Sequence, residues 1–123
     1  MRILVAEDDE LLRALLEDYL SELGHTVKSS GNGVALVQLA LAERPDLIVT
    51  DLKMPEIAGD SMIAMLDMSP GLSGIPVIIL SGVSGAELAG MGIPREIPVL
   101  SKPYDFAKIA RAVGMVSQRK GQL

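Results

Sequence analysis

Cysteine and tryptophan are absent from the 123 residues, and aromatic side chains make up only 2% of them. Without thiols there is no disulfide and no thiolate metal site, and a reducing compartment such as the cytoplasm suits the chain. So few rings argue against a surface that stacks on bases. Excess positive charge is also missing: the net charge of −5 disfavours direct binding to a phosphate backbone. Arg119 and Lys120 in the tail are too few to form a nucleic-acid arm. Long hydrophobic runs are lacking as well. Met1 to Ala6 starts like a signal peptide, but Glu7 interrupts it before an h-region is complete. The apolar stretch from Val34 to Ala42 carries Gln38 and is too short to span a bilayer. A soluble protein with no membrane insertion is expected.

What is present is a large apolar fraction, 49%, in a length that suits one domain over residues 1–123, with a loose tail from about 117. Strand and helix signals alternate. Ile3 to Ala6 reads as a strand, and Glu10 to Leu23 as a helix with apolar Leu12, Leu15, Leu16, Tyr19, Leu20 and Leu23, stopped by Gly24. His25 to Ser29 is a strand. Val34 to Glu43 is a helix ended by Arg44-Pro45, because the residue before proline avoids the helical region. Asp46 to Thr50 and Pro76 to Leu80 are continuous apolar strands, with a helix over Asp60 to Asp67 and a Pro/Gly-rich loop over Ser69 to Gly74 between them. Four glycines between Gly82 and Gly92 weaken any helix there, leaving a short one near Ala86 to Met91. Ile97 to Leu100 is the last strand. Asp105 caps a final helix with Phe106, Ile109, Ala110, Val113 and Val116 on its apolar face. Five strands alternating with five helices predict an α/β fold: a doubly wound, five-stranded parallel sheet with helices on both faces.

In such a sheet all strand C-termini open on one edge, where ligands bind. Three pieces of chain end there: Glu7-Asp8-Asp9, Thr50-Asp51-Leu52-Lys53-Met54-Pro55 and Ser101-Lys102-Pro103. Carboxylates gathered this closely call for a hard divalent cation such as Mg²⁺. Asp8 and Asp51 are the candidate direct ligands, with Glu7 acting through water and the backbone carbonyl of Lys53 adding an oxygen. Lys102 would meet a second anion, a phosphoryl group, and the hydroxyl of Ser81 would donate a hydrogen bond to it. The carboxylate of Asp51 can accept that phosphoryl group as an acyl phosphate.

With these residues in place, the chain resembles the receiver domain of two-component response regulators over essentially its whole length. The motifs that carry the likeness are Ile3-Leu4-Val5-Ala6-Glu7-Asp8-Asp9, Asp51-Leu52-Lys53-Met54-Pro55 followed by Gly59, Leu80-Ser81-Gly82, and Ser101-Lys102-Pro103-Tyr104. The resemblance implies the flavodoxin-like receiver fold and a phosphoacceptor Asp51, charged by a histidine kinase or a histidine phosphotransfer protein. It also implies Mg²⁺ at Glu7, Asp8 and Asp51, a switch hydroxyl at Ser81, a phosphate-contacting Lys102 and a cis peptide bond at Lys102-Pro103. Catalysis is then limited to the domain's own phosphorylation and hydrolysis at Asp51, and the signal passes on by contact with a downstream protein. Oligomeric state stays open, a phosphorylation-dependent dimer included. One departure stands out: Val99 occupies the place, three residues before the lysine, where receivers usually carry Tyr or Phe. Tyr104 lies beyond the Lys-Pro pair. The switch is therefore expected to order or shift the glycine-rich segment 82–92 instead of turning a ring.

A dehalogenase-like phosphatase generally needs a second acid two residues after its nucleophile, where this chain has Lys53. A pseudo-receiver scaffold with a silent pocket, and a receiver belonging to a longer regulator or hybrid kinase, are the remaining alternatives. Asp9 and Glu10 suit a helix start. His25 reads as a surface strand-end residue, and Gly31-Asn32-Gly33 as a tight turn before a helix rather than a dinucleotide loop, since Leu36 stands where a third glycine belongs. Met62, Met65 and Met68 at helical spacing read as filling core gaps or lining one helix face.

Overall fold

The computed structural model describes residues 1–51, 64–65, 68–82, 90, 97–101 and 105–121. Five strands, β1 (Arg2–Ala6), β2 (Thr26–Ser30), β3 (Leu47–Asp51), β4 (Val77–Ser81) and β5 (Val99–Ser101), pair in parallel in the order β2-β1-β3-β4-β5. Three helices are described, α1 (Glu10–Glu22), α2 (Gly33–Ala42) and α3 (Phe106–Gly121). Residues 64–65 and 68 are also helical, while most of the helix expected over 60–67, and that near 86–91 except for Gly90, fall outside the described residues.

Alternation along the strands splits the core into two layers. Ile3 and Val5 of β1 pack with Leu47 and Val49 of β3 and Ile78 and Leu80 of β4, under Leu16 and Leu20 of α1 and Ile109, Val113 and Val116 of α3. The intervening residues, Leu4, Ala6, Ile48, Val77 and Ile79, pack on the other face with Leu36 and Ala40 of α2. Because both faces are covered, β3 and β4 are buried along their whole length, which is why they read as unbroken apolar runs. The edge strand β2 instead alternates exposed and half-buried positions until Ser30.

Local chemistry sets the helix ends. The Asp9 carboxylate accepts from the backbone N–H of Leu11 and Leu12 at 3.0 and 3.1 Å, capping α1. At the other end Gly24 adopts φ +97°, and the N–H groups of Gly24 and His25 donate to the carbonyls of Ser21 and Leu20, a Schellman closure. Asn32 caps α2 through the Ala35 N–H at 2.8 Å, and Asp105 caps α3 through the Ala107 N–H at 2.9 Å. The helix start expected at Asp9 and Glu10 and the cap expected at Asp105 are therefore present, and residues 31–32 bend into α2, which begins at Gly33, where a tight turn was expected over 31–33.

The expected strand ends need correction. Strands β3 and β4 each run one residue further than their apolar composition indicates, because the ladder pairs Asp51 with Leu80 and Ser81 with Ser101. Ser81 is thus the last residue of a strand, not the first after it. The Pro/Gly-rich loop expected over 69–74 is present, and within it Leu72 is buried at 2% exposure against Leu36, Ile75 and their neighbours. Arg44 holds that turn by donating to the carbonyls of Gly71 and Ser73.

Candidate functional site

The chain lays β2 on one side of β1 and β3 on the other, so the winding direction reverses between β1 and β3. A crevice opens beyond the strand C-termini at such a point. Register decides what lines it. Ala6 pairs with Thr50, so the next residue on each strand brings Glu7 beside Asp51.

Glu7 and Asp51 are almost entirely buried, at 0% and 4% exposure, while Asp8 is exposed. One ligand oxygen from each of the three carboxylates lies within 4.8 Å of the others. Around a cation with bonds of about 2.0–2.1 Å, neighbouring and opposite ligand oxygens sit about 3 and 4 Å apart, so this spacing suits a small hard divalent ion. Oxygen-only donors suit the same class of ion. Three like charges this close repel one another, and a bound cation offsets that repulsion.

Ser81 ends β4, the strand next to β3, and is 1% exposed. Its backbone is one position beyond Leu80, the partner of Asp51. Lys53, Lys102, the Lys102-Pro103 peptide and Tyr104 lie outside the described residues. Val99 begins β5, pairs with Ile79, and packs half-buried with Ile97 against the α2-side core. Most of the segment 82–92 is likewise outside the described residues.

Two contributors had no role in the sequence reading. Thr50 is fully buried, and its hydroxyl donates to the Asp51 carbonyl at 2.9 Å, fixing the end of β3. Arg13 of α1 donates from Nη1 to the Glu7 carbonyl at 3.0 Å. A buried threonine before a strand-end acid is a weak sequence cue. An arginine's long reach leaves no periodic signal at all.

His25, outside this site, lies with Nδ1 3.1 Å from the Met1 amino group. Desolvation first, and the Met1 charge second, hold its imidazole below its ordinary value. It is half-buried and directly precedes β2, where a surface strand-end residue was expected. Among the described residues no helix is long and apolar enough to cross a membrane.

Comparison with known proteins agrees with this geometry. The response regulator receiver domain family matches residues 3–114. Protein Rrf1 of Nitratidesulfovibrio vulgaris is 28% identical over 104 residues, a stretch covering 85% of this chain and 73% of Rrf1. The probable transcriptional regulatory protein SilR of Salmonella typhimurium is 32% identical over 120 residues, covering 97% of this chain and 52% of SilR. The signal receiver domain of a signal transduction histidine kinase from Syntrophus aciditrophicus superimposes with a TM-score of 0.85 at 29% identity, covering 94% of this chain and 88% of that one. The chain thus spans about half the length of SilR, and a similar share, 47%, of a probable transcriptional regulator of Pyropia yezoensis. Fold, acidic strand-end cluster and a family match spanning nearly all its residues agree, and the chain belongs to the response regulator receiver domain family.

Proposed function

We propose that this receiver domain is a phosphoacceptor switch of a two-component or phosphorelay system. It takes a phosphoryl group from a histidine kinase or histidine phosphotransfer protein onto Asp51 and passes the signal on by protein contacts. The observation that carries this reading is the convergence of Glu7, Asp8 and Asp51 within 4.8 Å at the point where the sheet changes winding direction. The similarity to a receiver domain of a histidine kinase supports a kinase-type donor.

In the transfer, a carboxylate oxygen of Asp51 bonds to phosphorus while the bond from phosphorus to the donor imidazole nitrogen breaks, its electron pair staying on that ring. Burial at the end of β3, with the Asp51 carbonyl held by Thr50, keeps the nucleophile in one orientation. Ser81 on the adjacent strand donates a hydrogen bond to the transferred group, and Lys102 places an ammonium against its oxygens. Asp8 and Asp51 would hold Mg²⁺ directly, the Lys53 backbone carbonyl would add an oxygen and Glu7 would act through water, and the ion would supply positive charge against the phosphoryl oxygens. Hydrolysis of the acyl phosphate returns Asp51, so the domain turns over only its own aspartate.

Intact-mass analysis after incubation with acetyl phosphate tests this reading. Wild type gains one phosphoryl group only when Mg²⁺ is present, and Asp51→Asn gains none. An equal gain in both proteins would remove Asp51 from this role. No gain, together with failure to form a beryllofluoride complex, would leave a silent scaffold.

A further inference from the structure

The main chain at Glu7 is held from two sides. Its N–H donates to the Ser30 carbonyl at 3.1 Å, at the end of β2, and its C=O accepts from Arg13 Nη1 at 3.0 Å. That carbonyl belongs to the planar peptide joining Glu7 to Asp8. Fixing its oxygen fixes the plane, and with it the directions in which both carboxylates leave the backbone. One turn further along α1, Glu17 accepts from the Ser29 hydroxyl at 2.8 Å, so α1 is tied to β2 beside the same strand end.

Gly31 completes the arrangement. A Cβ built there lies 2.7 Å from Arg13 Nη1 and 3.7 Å from its guanidinium carbon, and among the described residues other than its chain neighbours no other heavy atom lies within 4 Å. The guanidinium therefore fills the space a side chain at position 31 would take. The atom in the way is the far end of a flexible side chain, and the backbone at 31 is not left-handed. An alanine can displace the guanidinium there without straining the turn.

From this geometry we infer that Arg13 is a positioning residue for the cation site, aligning Glu7 and Asp8 through their shared peptide, and that Gly31 is the seat that lets it do so. Removing a positive charge from beside an acidic cluster strengthens cation binding, whereas losing the alignment weakens it. The inference commits to alignment as the larger effect. It rests on the proposed cation site, and its test separates the two.

The experiment is Mg²⁺ titration by calorimetry of wild type, Arg13→Ala, Arg13→Lys, Gly31→Ala, the Arg13→Ala/Gly31→Ala double variant and Asp51→Asn. Thermal melts and amide spectra of the metal-free proteins accompany it. Losing a group that orients metal ligands costs roughly tenfold or more in affinity. About tenfold weaker binding is expected in Arg13→Ala and in Gly31→Ala, with the double variant no weaker than either single, because both remove one contact. Arg13→Lys, which keeps charge but lacks the guanidinium fork, falls between. The Asp8 amide resonance, on the shared peptide, shifts alike in both single variants. Unchanged or stronger binding in Arg13→Ala would overturn the inference. So would additive losses, or losses that follow melting temperature. If wild type and Asp51→Asn respond alike to Mg²⁺, the cation site itself is wrong, and the Asp8 amide then decides the positioning role: unmoved in both variants, it overturns that role too.

Discussion

Tyr19 of α1 and Phe106 of α3 stack with ring centroids 5.0 Å apart and planes 21° from parallel. They are two of only three aromatic residues in the chain, the third being Tyr104. The contact joins the two helices that share one face of the sheet, on the side where Leu16, Leu20 and Ile109 are buried. Stacked pairs contribute about 0.5–1.5 kcal/mol beyond the area they bury. Phe106→Leu is expected to lower stability by about 1 kcal/mol in urea unfolding followed by circular dichroism. Tyr19→Leu added to it should cost less than Tyr19→Leu alone. Equal costs in both backgrounds would show that the rings do not couple.

Asp9 and Asp8 are neighbours with different tasks. Asp9 caps α1, so Asp9→Ala is expected to cost about 1 kcal/mol, and Asp9→Asn only a few tenths because its amide oxygen still accepts. Neither change should weaken Mg²⁺ binding more than about twofold by calorimetry, whereas Asp8→Asn should weaken it about tenfold or more. A large loss with Asp9→Asn would move Asp9 from the helix start into the cation site.

Leu72 lies in a segment that carries Pro70, Gly71 and Gly74, and composition alone marks it as surface loop. It is nevertheless part of the α2-side core, so Leu72→Ala is expected to cost about 2–5 kcal/mol. Met68→Ala, at an exposed position close by, should change stability by less than about 0.5 kcal/mol. Chemical unfolding of the two variants side by side checks this. Similar midpoints would mean that Leu72 is not packed.

The parts of the fold legible in sequence are those with a period or a cap. Apolar runs located four of the five strands, β2 being the mixed exception, while Asp9 and Asp105 marked helix starts and Gly24 marked a stop, because each rests on chemistry within a few residues. Six apolar positions over Glu10 to Leu23 gave the right helix but do not say which of them are buried. Leu15 and Leu23 are 43% and 48% exposed, while only Leu16 and Leu20 are fully covered. The ends of β3 and β4 were missed by one residue because the pairing partner, not the polarity of Asp51 or Ser81, decides where the ladder stops. The acids at Glu7, Asp8 and Asp51 were legible because strand ends in a parallel sheet share one edge. Arg13, Thr50 and the Tyr19–Phe106 stack were not, since each depends on distances that only the folded chain creates.

His25 supplies a pH prediction. Its folded value lies below the ordinary 6.5, so the folded protein holds fewer protons at this site than the unfolded chain. Its contribution to stability is therefore complete above about pH 6.5 and is lost as pH falls through the lower folded value. An NMR titration of the imidazole should give a midpoint below 6.5. Acetylating the Met1 amino group should raise it part of the way back, because desolvation remains the larger cause. A midpoint at or above 6.5 would contradict the contact between Met1 and His25.

The central claim is that Asp51 receives the phosphoryl group, and chemical trapping reads it at the residue itself. After phosphorylation in Mg²⁺, borohydride reduces an acyl phosphate to the alcohol, so peptide mapping should find homoserine at position 51 and unchanged aspartate at positions 8 and 9. Homoserine at Asp8 or Asp9, or in a metal-free control to the same extent, would contradict the account.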